Sequence, residues 1–553
     1  MLPPEGIAYM QLGNIWIKLT SVSGSPHTDG EGKPKFFGGR IEPREYQVSL
    51  FRDAIERNTL IVLPTGLGKT IIAAMVAEYV LMQRKEKVIF LAPTRPLITQ
   101  HFETMKKLLD LGEDEISRFT GEVDNEDRLL KWVTSKVVIS TPQVVLNDMR
   151  NGLLNIASYG LIVFDEAHRA TGNYAYVDIA RNFLDTKHRL VLGITASPGG
   201  DREKLNEITQ VLGIEAVRIK TENDPDVQKY MGGIDLKITT LKLPPQIKEL
   251  SDLLRIVVDK IADKIRAAGV FRPGRFSRSE VAQKIGEVIQ RAKNGEKNLF
   301  VTVTYMSAAI RIDYLLEYLE SQGLEIASDY VNEILNSDEK TLRKTASIAQ
   351  KIPEFNSFLV RLKDLSEQKL ENTKMRAVLD MCEEQISNNP DSRVIVFTHF
   401  RKTSDLLTTY LREKSALLRP IRFIGQAGKS GDEGLKQKDQ DLILQKFRNN
   451  IFNVLVATSV AEEGLDIPAT DLVIFFEPVP SEIRSIQRRG RTGRTHAGSV
   501  RILMYEGTRD SGYYFSSIRK ETRMKKNIQK LQDAQPETKR KKIGPNPSLD
   551  DFN

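Results

Sequence analysis

From Tyr46 to about Gly213 the chain repeats one pattern: a short run of consecutive apolar residues, a polar turn, then a longer stretch whose apolar positions recur three and four apart. The apolar runs fall at 60–63, 88–92, 137–140, 161–164 and 190–194. Runs of that length bounded by turns predict strands buried on both faces, and their alternation with helices predicts a parallel sheet between helical layers. The pattern returns at 394–397, 454–457, 472–476 and 500–504. The predicted fold class is therefore α/β, with two doubly wound parallel-sheet domains.

The stretch 244–385 breaks this pattern. Its apolar residues sit at i, i+3 and i+4, as in Leu250, Leu253, Leu254, Val257 and Val258, or Leu315, Leu316 and Leu319, among long charged runs. That spacing predicts a helical domain inserted between the sheets. Basic residues recur in it, among them Arg266, Arg272, Arg275, Arg278, Lys284 and Arg291; a solvated helix face accounts for them as well as a nucleic-acid surface does. Residues 1–39 read as an N-terminal extension of unassigned role, with one strand at 15–19 and a Gly/Ser/Pro-rich stretch behind it. The divisions that result are 40–243 for the first sheet domain and a linker, 244–385 for the insert, and 386–533 for the second sheet domain with a last helix. Residues 534–553 form a polar tail, carrying Lys539, Arg540, Lys541 and Lys542, that is expected to lose order.

Composition narrows the picture in three ways. At 553 residues the chain exceeds what one core supports. Hydrophobic content of 40% beside 28% charged residues is that of an ordinary soluble protein. No apolar run approaches the roughly 20 residues of a membrane span, and the N-terminus lacks a signal peptide's basic-then-apolar order, so a cytoplasmic or nuclear location is expected. A single cysteine, Cys382, excludes an internal disulfide and a cysteine-cluster metal site; its place in a helical pattern assigns it to the core. Lys plus Arg at 81 against Asp plus Glu at 73 gives a net charge of +8, which permits a polyanionic partner without demanding one.

The chemistry is carried by two short segments. In Leu63-Pro64-Thr65-Gly66-Leu67-Gly68-Lys69-Thr70 an apolar strand turns through glycines into a helix, so backbone N–H groups and a helix N-terminus converge on one phosphate-sized space. Lys69 is placed to reach β/γ-phosphates and the Thr70 hydroxyl to sit on Mg²⁺. The match departs from G-x-x-x-x-G-K-T at its first position, where Leu63 stands for glycine. About a hundred residues on, the run 161–164 delivers Asp165 and Glu166 at the end of a strand, where open α/β sheets hold their ligands. One carboxylate is placed to hold the metal and its neighbour to polarise an attacking water, so Thr70, Asp165 and Glu166 are the metal-site candidates. ATP and Mg²⁺ are the expected ligands. In the second sheet domain, Gln487-Arg488-Arg489-Gly490-Arg491-Thr492-Gly493-Arg494 sets several guanidiniums around two glycines. An RNA backbone or an acidic partner suits such arginines; in a chain that already has a phosphate loop, fixed positive forks for a transferred phosphoryl group suit them better.

Taken in order, these motifs resemble a family. Tyr46-Gln47, the phosphate loop, Ala92-Pro93-Thr94-Arg95-Pro96, Thr120-Gly121, Thr141-Pro142-Gln143, the DEAH sequence at 165–168, Thr195-Ala196-Ser197-Pro198, Phe397-Thr398-His399-Phe400, the segment 458–466 and the arginine motif follow the order of superfamily-two helicases over about residues 40–530. The phrases at 165–176 and 477–489, with the helical insert, are most similar to the archaeal Hef family, related to the eukaryotic FANCM group. The resemblance implies RecA-like domains, ATP dependence, 3′→5′ translocation, forked or branched DNA as substrate in replication-fork repair, and a cytoplasmic, nucleoid-associated place in an archaeal cell. It further implies that Gln47 reads adenine with Arg44 nearby, and that Lys69, Thr70, Asp165 and Glu166 act as argued. Pro64, Thr65, Gly66 and Gly68 belong with them in the nucleotide site. His168, Thr195 and Ser197 couple nucleotide to DNA; Gly464 and Asp466 lie at the ribose, Gln487 at the catalytic water, and Arg491 and Arg494 are fingers. Pro93, Thr94, Arg95, Thr120, Gly121, Thr141, Thr398, Gly425, Gln426, Thr458 and Ser459 contact the phosphodiester backbone, which positions a strand without reading its sequence.

Hef-type proteins join such a helicase to an XPF-type nuclease, whose motif is missing here. The chain is then either a truncated form or a helicase-only member. The last eight residues bear on that choice: Leu549 and Phe552, three apart between Asn546 and Asn553, resemble the sliding-clamp-binding box, with asparagines where the box has glutamine and a second aromatic. A frayed terminus is the alternative, and a clamp box would suggest a natural end. Two other functional classes compete with a DNA translocase: a duplex-RNA-stimulated ATPase of RIG-I-like type, and a clamp or scaffold without hydrolysis. The single cysteine argues against the zinc-binding RNA domain of the former, and intact Lys69, Glu166, Arg491 and Arg494 argue against the latter.

Overall fold

The computed structural model describes residues 9–12, 15–18 and 36–534, apart from 122–124, 186–188, 200, 222–223, 231–232, 272–276, 369, 427–433, 462–466 and 493–497. The N-terminal extension contributes a hairpin, β1 (Tyr9–Leu12) antiparallel to β2 (Ile15–Lys18), so the one strand read there has a partner.

Seven parallel strands form the first sheet: β3 (Thr59–Val62), β4 (Lys87–Leu91), β5 (Ile116–Phe119), β6 (Val137–Ser140), β7 (Tyr159–Asp165), β8 (Leu190–Thr195) and β9 (Ala216–Ile219), in the order β5-β6-β4-β7-β8-β3-β9. The second sheet has six, also parallel: β10 (Ile234–Leu241), β11 (Val394–Phe397), β12 (Pro420–Phe423), β13 (Val454–Ala457), β14 (Leu472–Phe475) and β15 (Gly498–Tyr505), in the order β10-β15-β14-β11-β13-β12. Each central strand buries both faces. Ile61, Phe90 and Val163 enter one core of the first sheet, while Leu60, Ile89 and Ile162 enter the other. Alternation of this kind is what a run of consecutive apolar residues achieves in a sheet covered on both sides.

Two boundaries move from their sequence-based positions. The stretch 40–243 was assigned to the first sheet domain and linker, but β10 leaves it and pairs along its whole length with β15. The last helix assigned to the insert, Thr373–Asn388, packs Met375, Val378, Leu379, Cys382 and Ile386 against the second sheet. Cys382 is buried there, and burial pushes its thiol up. Among the described residues the insert proper has six helices, from Pro245–Ala267 to Pro353–Glu367, around a core of their own. At its centre lies Leu299–Ser321, whose Met306, Ile312, Leu315 and Leu319 are buried. This helix corrects the expectation that no apolar run approaches a membrane span: among the described residues it alone is long and apolar enough, and it is apolar because it is the insert's core helix.

Where the described chain resumes, Phe36 and Phe37 pack beside Phe51, and Phe37 N–H donates to Glu78 Oε1 at 3.0 Å. Burial pushes the Glu78 carboxyl from its ordinary 4.5 up to about 7. The folded protein therefore holds this proton more tightly than the unfolded chain. The associated stability is fully present below about pH 4.5 and is lost as pH rises through about 7. Glu78→Gln keeps an acceptor for Phe37 and removes the charge. It is expected to stabilise the protein at pH 8 by about 1–3 kcal/mol and by little at pH 4. Urea unfolding at both pH values checks this, and an equal gain at both would refute it.

Candidate nucleotide and nucleic-acid sites

Because every strand in each sheet runs the same way, all loops that follow strands emerge on one rim. In the first sheet the rim divides in two. The loops after β3, β7 and β8 carry the phosphate loop, Asp165-Glu166 and Thr195-Ser197, and these strands are adjacent as β7-β8-β3. The loops after β5, β6 and β4, also adjacent, carry Thr120-Gly121, Thr141 and Pro93-Thr94-Arg95. The two sets of candidate residues are thus neighbouring parts of one edge.

The phosphate loop is shaped by two glycines. Gly66 and Gly68 have φ of +85° and +77°, in the left-handed region that side chains disfavour. At Gly68 a Cβ would also stand 2.4 Å from Gln47 Nε2. Lys69 and Thr70 open the helix Lys69–Tyr79, and Lys69 Nζ donates to Leu63 O at 3.0 Å and Pro64 O at 3.4 Å, inside the loop it serves. Gln47 is more occupied than the resemblance implies. Its Oε1 accepts from Arg44 N–H at 2.9 Å and its Nε2 donates to Leu67 O at 3.2 Å, where the Tyr46 hydroxyl also donates at 2.8 Å. Gln47 and Tyr46 therefore brace the loop from behind. Arg44 lies beside them, donating to the Tyr46 hydroxyl at 3.1 Å with its guanidinium 4.8 Å over the Tyr230 ring.

At the end of β7, Asp165 Oδ1 accepts from Glu166 N–H at 3.0 Å and Oδ2 is hydrogen-bonded by His101 Nε2 at 2.7 Å. The Tyr176 hydroxyl donates to Asp165 O at 2.7 Å; burial, then the Asp165 charge, push that phenol well up and keep it a donor. Glu166 turns the chain at φ 48° and ψ 50°. A non-glycine residue in that region costs of order 1–3 kcal/mol and persists where its side chain is needed. Its Oε2 is buried and accepts no hydrogen bond among the described residues, with His168 Nδ1 at 3.3 Å. Thr195 Oγ1 donates to Ser197 O at 3.0 Å, so it accepts from His168 Nδ1 at 3.1 Å, which assigns the ring proton to Nδ1. The acidic pair, the histidine and the Thr195-Ser197 turn are thus one connected unit. The residues present fit Mg²⁺: a hydroxyl at Thr70, a buried carboxylate at Asp165 and an acceptor left open on Glu166.

The second sheet repeats the arrangement. Thr398, Gly425-Gln426 and Thr458-Ser459 follow β11, β12 and β13, again adjacent. Thr94 Oγ1 in the first sheet and Thr398 Oγ1 in the second are buried hydroxyls without a hydrogen-bond partner among the described residues. Gln426 Nε2 donates to Gln437 Oε1 at 2.6 Å, and Gly425 O accepts from Arg401 at 3.0 Å. After β14 comes the helix Glu482–Arg489, which carries Gln487 and leads into Gly490 and Arg491. A Cβ on Gly490 would lie 2.5 Å from Thr65 Cβ. The arginine motif of the second domain therefore abuts the phosphate loop of the first. Gln487 and Arg491 are both buried at this junction. Gly464, Asp466 and Arg494 lie outside the described residues, as do Arg272, Arg275 and residues 546–553.

Two features were missed in sequence. His101 is one, although a histidine within the apolar stripe Leu97, Ile98, Met105 and Leu108 of the helix Arg95–Leu108 was a legible signal. Met524 is another: it lies on the long helix Arg509–Ala534, is buried in the first domain's core, and accepts from Ser197 Oγ at 2.8 Å. One turn earlier Glu521 pairs with Arg489 at 2.5 Å, so this helix joins the arginine motif to the Thr195-Ser197 turn. Arg278, weighed as a DNA contact, is instead committed within the protein. It pairs with Glu317 at 2.5 Å, donates to the Tyr513 hydroxyl at 3.1 Å and stacks 4.0 Å over the Tyr314 ring.

Comparison with known proteins agrees with this architecture. Residues 40–200 match the family of the type III restriction enzyme res subunit, and 373–496 the helicase conserved C-terminal domain. A Methanocaldococcus jannaschii protein that carries an ATP-dependent RNA helicase name is 36% identical over 90% of this chain and 62% of its own length. The ATP-dependent DNA helicase mph1 of Aspergillus fumigatus is 31% identical over 85% of this chain and 45% of its own. The chain thus spans less than two thirds of either relative. The crystal structure of the Pyrococcus furiosus Hef helicase domain shares 40% identity and a TM-score of 0.64, covering 86% of this chain and 98% of that one. Sequence and structure agree over nearly all of that domain, and the chain belongs to the Hef family of superfamily-two helicases.

Proposed function

We propose that this protein is an ATP-driven 3′→5′ translocase on DNA that acts at forked or branched structures in replication-fork repair, close to the nucleoid. The observation that carries the ATP-driven part is the seat of Gly490 against Thr65, which brings a second-domain arginine motif onto a first-domain phosphate loop. Lys69 and the loop N–H groups hold phosphates, Thr70 and Asp165 hold Mg²⁺, Glu166 orients the attacking water with Gln487 beside it, and Arg491 with Arg494 meets charge on the transferred group. Mg²⁺ supplies neutralising charge at the β/γ-phosphates. Asp466 and Gly464 serve the ribose. Closure of the two sheets on ATP and release after hydrolysis move the two rims relative to each other, and their hydroxyl and amide groups grip a phosphodiester backbone. His168, Thr195 and Ser197 link the two halves.

The choice of DNA rests on the Hef-family membership and on mph1, named a DNA helicase. The M. jannaschii relative carries an RNA helicase name, which keeps duplex RNA as the second reading. ATP hydrolysis measured with forked DNA, plain duplex, single strand and duplex RNA separates them. The proposal expects the greatest stimulation by the fork; duplex RNA in first place would overturn the DNA assignment. A sliding-clamp contact through Leu549 and Phe552 is part of the same proposal, tested by titrating clamp against the Leu549→Ala, Phe552→Ala variant.

A further inference from the structure

Asp165 is gripped by a residue that none of the motifs accounts for. His101 comes from the helix Arg95–Leu108, whose first turn follows Thr94, and reaches across to the end of β7. Both side chains are nearly sealed, His101 at 4% and Asp165 at 6% exposure. An ionised carboxylate only accepts, so Nε2 carries the ring proton and donates to Oδ2 over 2.7 Å. The other ring nitrogen, Nδ1, is buried without a hydrogen-bond partner among the described residues. The ring lies against Phe90 of β4, centroids 4.5 Å apart, which restricts its rotation.

This is a costly way to fill an apolar position. A buried polar group left unsatisfied costs about 1–3 kcal/mol, and a leucine would pack in the same stripe without it. What the histidine adds is its single bond to Asp165. With Glu166 N–H on Oδ1 and His101 on Oδ2, both carboxylate oxygens are fixed and each keeps a lone pair for a further partner. Groups that hold a metal ligand in place are typically worth 10- to 100-fold in metal affinity or activity.

We propose that His101 is a positioning residue for the metal site, holding the Asp165 carboxylate in the orientation in which it binds the divalent cation. The inference rests on the reading of Asp165 as a metal ligand. The test uses the full chain with Mn²⁺ and a non-hydrolysable ATP analogue, free Mn²⁺ being read by electron paramagnetic resonance. His101→Leu removes the donor. His101→Gln returns an amide N–H at the distance of Nε2, whereas His101→Asn places one at the distance of Nδ1. The half-saturating Mn²⁺ concentration is expected to rise about tenfold or more for His101→Leu and His101→Asn, and to stay within about threefold for His101→Gln. Melting temperatures confirm that each variant is folded at the assay temperature. Wild-type affinity in His101→Leu, or equal losses in the Gln and Asn variants, would overturn the inference, since packing alone does not depend on where the donor stands. Failure of the wild type to bind Mn²⁺ with the analogue would instead overturn the reading of the site itself.

Discussion

Glu166→Gln is expected to lower DNA-stimulated ATP hydrolysis by at least about 100-fold while leaving binding of a non-hydrolysable ATP analogue and the melting temperature close to wild type. The substitution conserves shape, so the turn at φ 48° and ψ 50° is carried by the same backbone. What it removes is the negative charge on an oxygen that is buried and accepts no hydrogen bond among the described residues. A positioned general base contributes typically 10²–10⁴-fold, and an amide cannot accept a proton from water. The charge also faces His168 Nδ1 at 3.3 Å, so its loss slackens the link through Thr195 to Ser197. In the proposed site, nucleotide is held by Lys69 and the loop between Gly66 and Gly68, which the substitution leaves unchanged. Retention of a tenth or more of wild-type turnover would remove Glu166 from the role of base.

The strands legible in sequence are those at the centre of the sheets. β4, β7, β8, β11 and β13 are covered on both faces, and only a run of apolar residues satisfies that. Within the two parallel sheets, the strands that escaped notice, β5, β9, β10 and β12, are the four edges. Each carries a charged residue, Arg118, Arg218, Lys237 and Arg422 respectively, that interrupts the apolar run. An edge strand has one flank unpaired and tolerates such residues, so periodicity alone reads it as a loop. The same boundary governs the site. The phosphate loop and Asp165-Glu166 are contiguous in sequence and could be read there. Contacts such as His101 with Asp165, 64 residues apart, or Ser197 with Met524, 327 apart, exist only after folding. Arg278 shows the converse, since its charge was visible but its partners Glu317 and Tyr513 on other helices were not.

Lys374→Met is expected to be among the most destabilising single substitutions in the chain, at about 3–5 kcal/mol. Lys374 is fully buried, and its Nζ donates to Asp510 Oδ2 at 2.6 Å and to Ser321 O at 3.2 Å, the latter at the end of the insert's core helix. Asp510 is itself buried and accepts from Ser321 Oγ at 2.9 Å and Tyr505 N–H at 3.1 Å. Gln322 extends the network, accepting from Thr403 Oγ1 at 2.8 Å and donating to Glu477, whose carboxyl burial pushes up while Arg488 and Lys374 pull it down. These groups come from the insert, from the helix Thr373–Asn388 and from the second sheet, so the network fastens the insert to the second domain. In the proposed cycle, closure of the second domain on ATP would therefore carry the insert with it. Methionine matches the stem of lysine, yet it leaves Asp510 buried without its cation. Adding Asp510→Asn removes that stranded charge while keeping its one carbonyl acceptor for Tyr505 N–H, with its amide N–H donating to the Ser321 hydroxyl instead of accepting from it, and is expected to recover at least half of the loss. Scanning calorimetry should show the single variant lowering the transition of the insert and second domain by roughly 10 °C. An unshifted transition in Lys374→Met, or no recovery in the double variant, would mean that the ion pair does not fasten the two units.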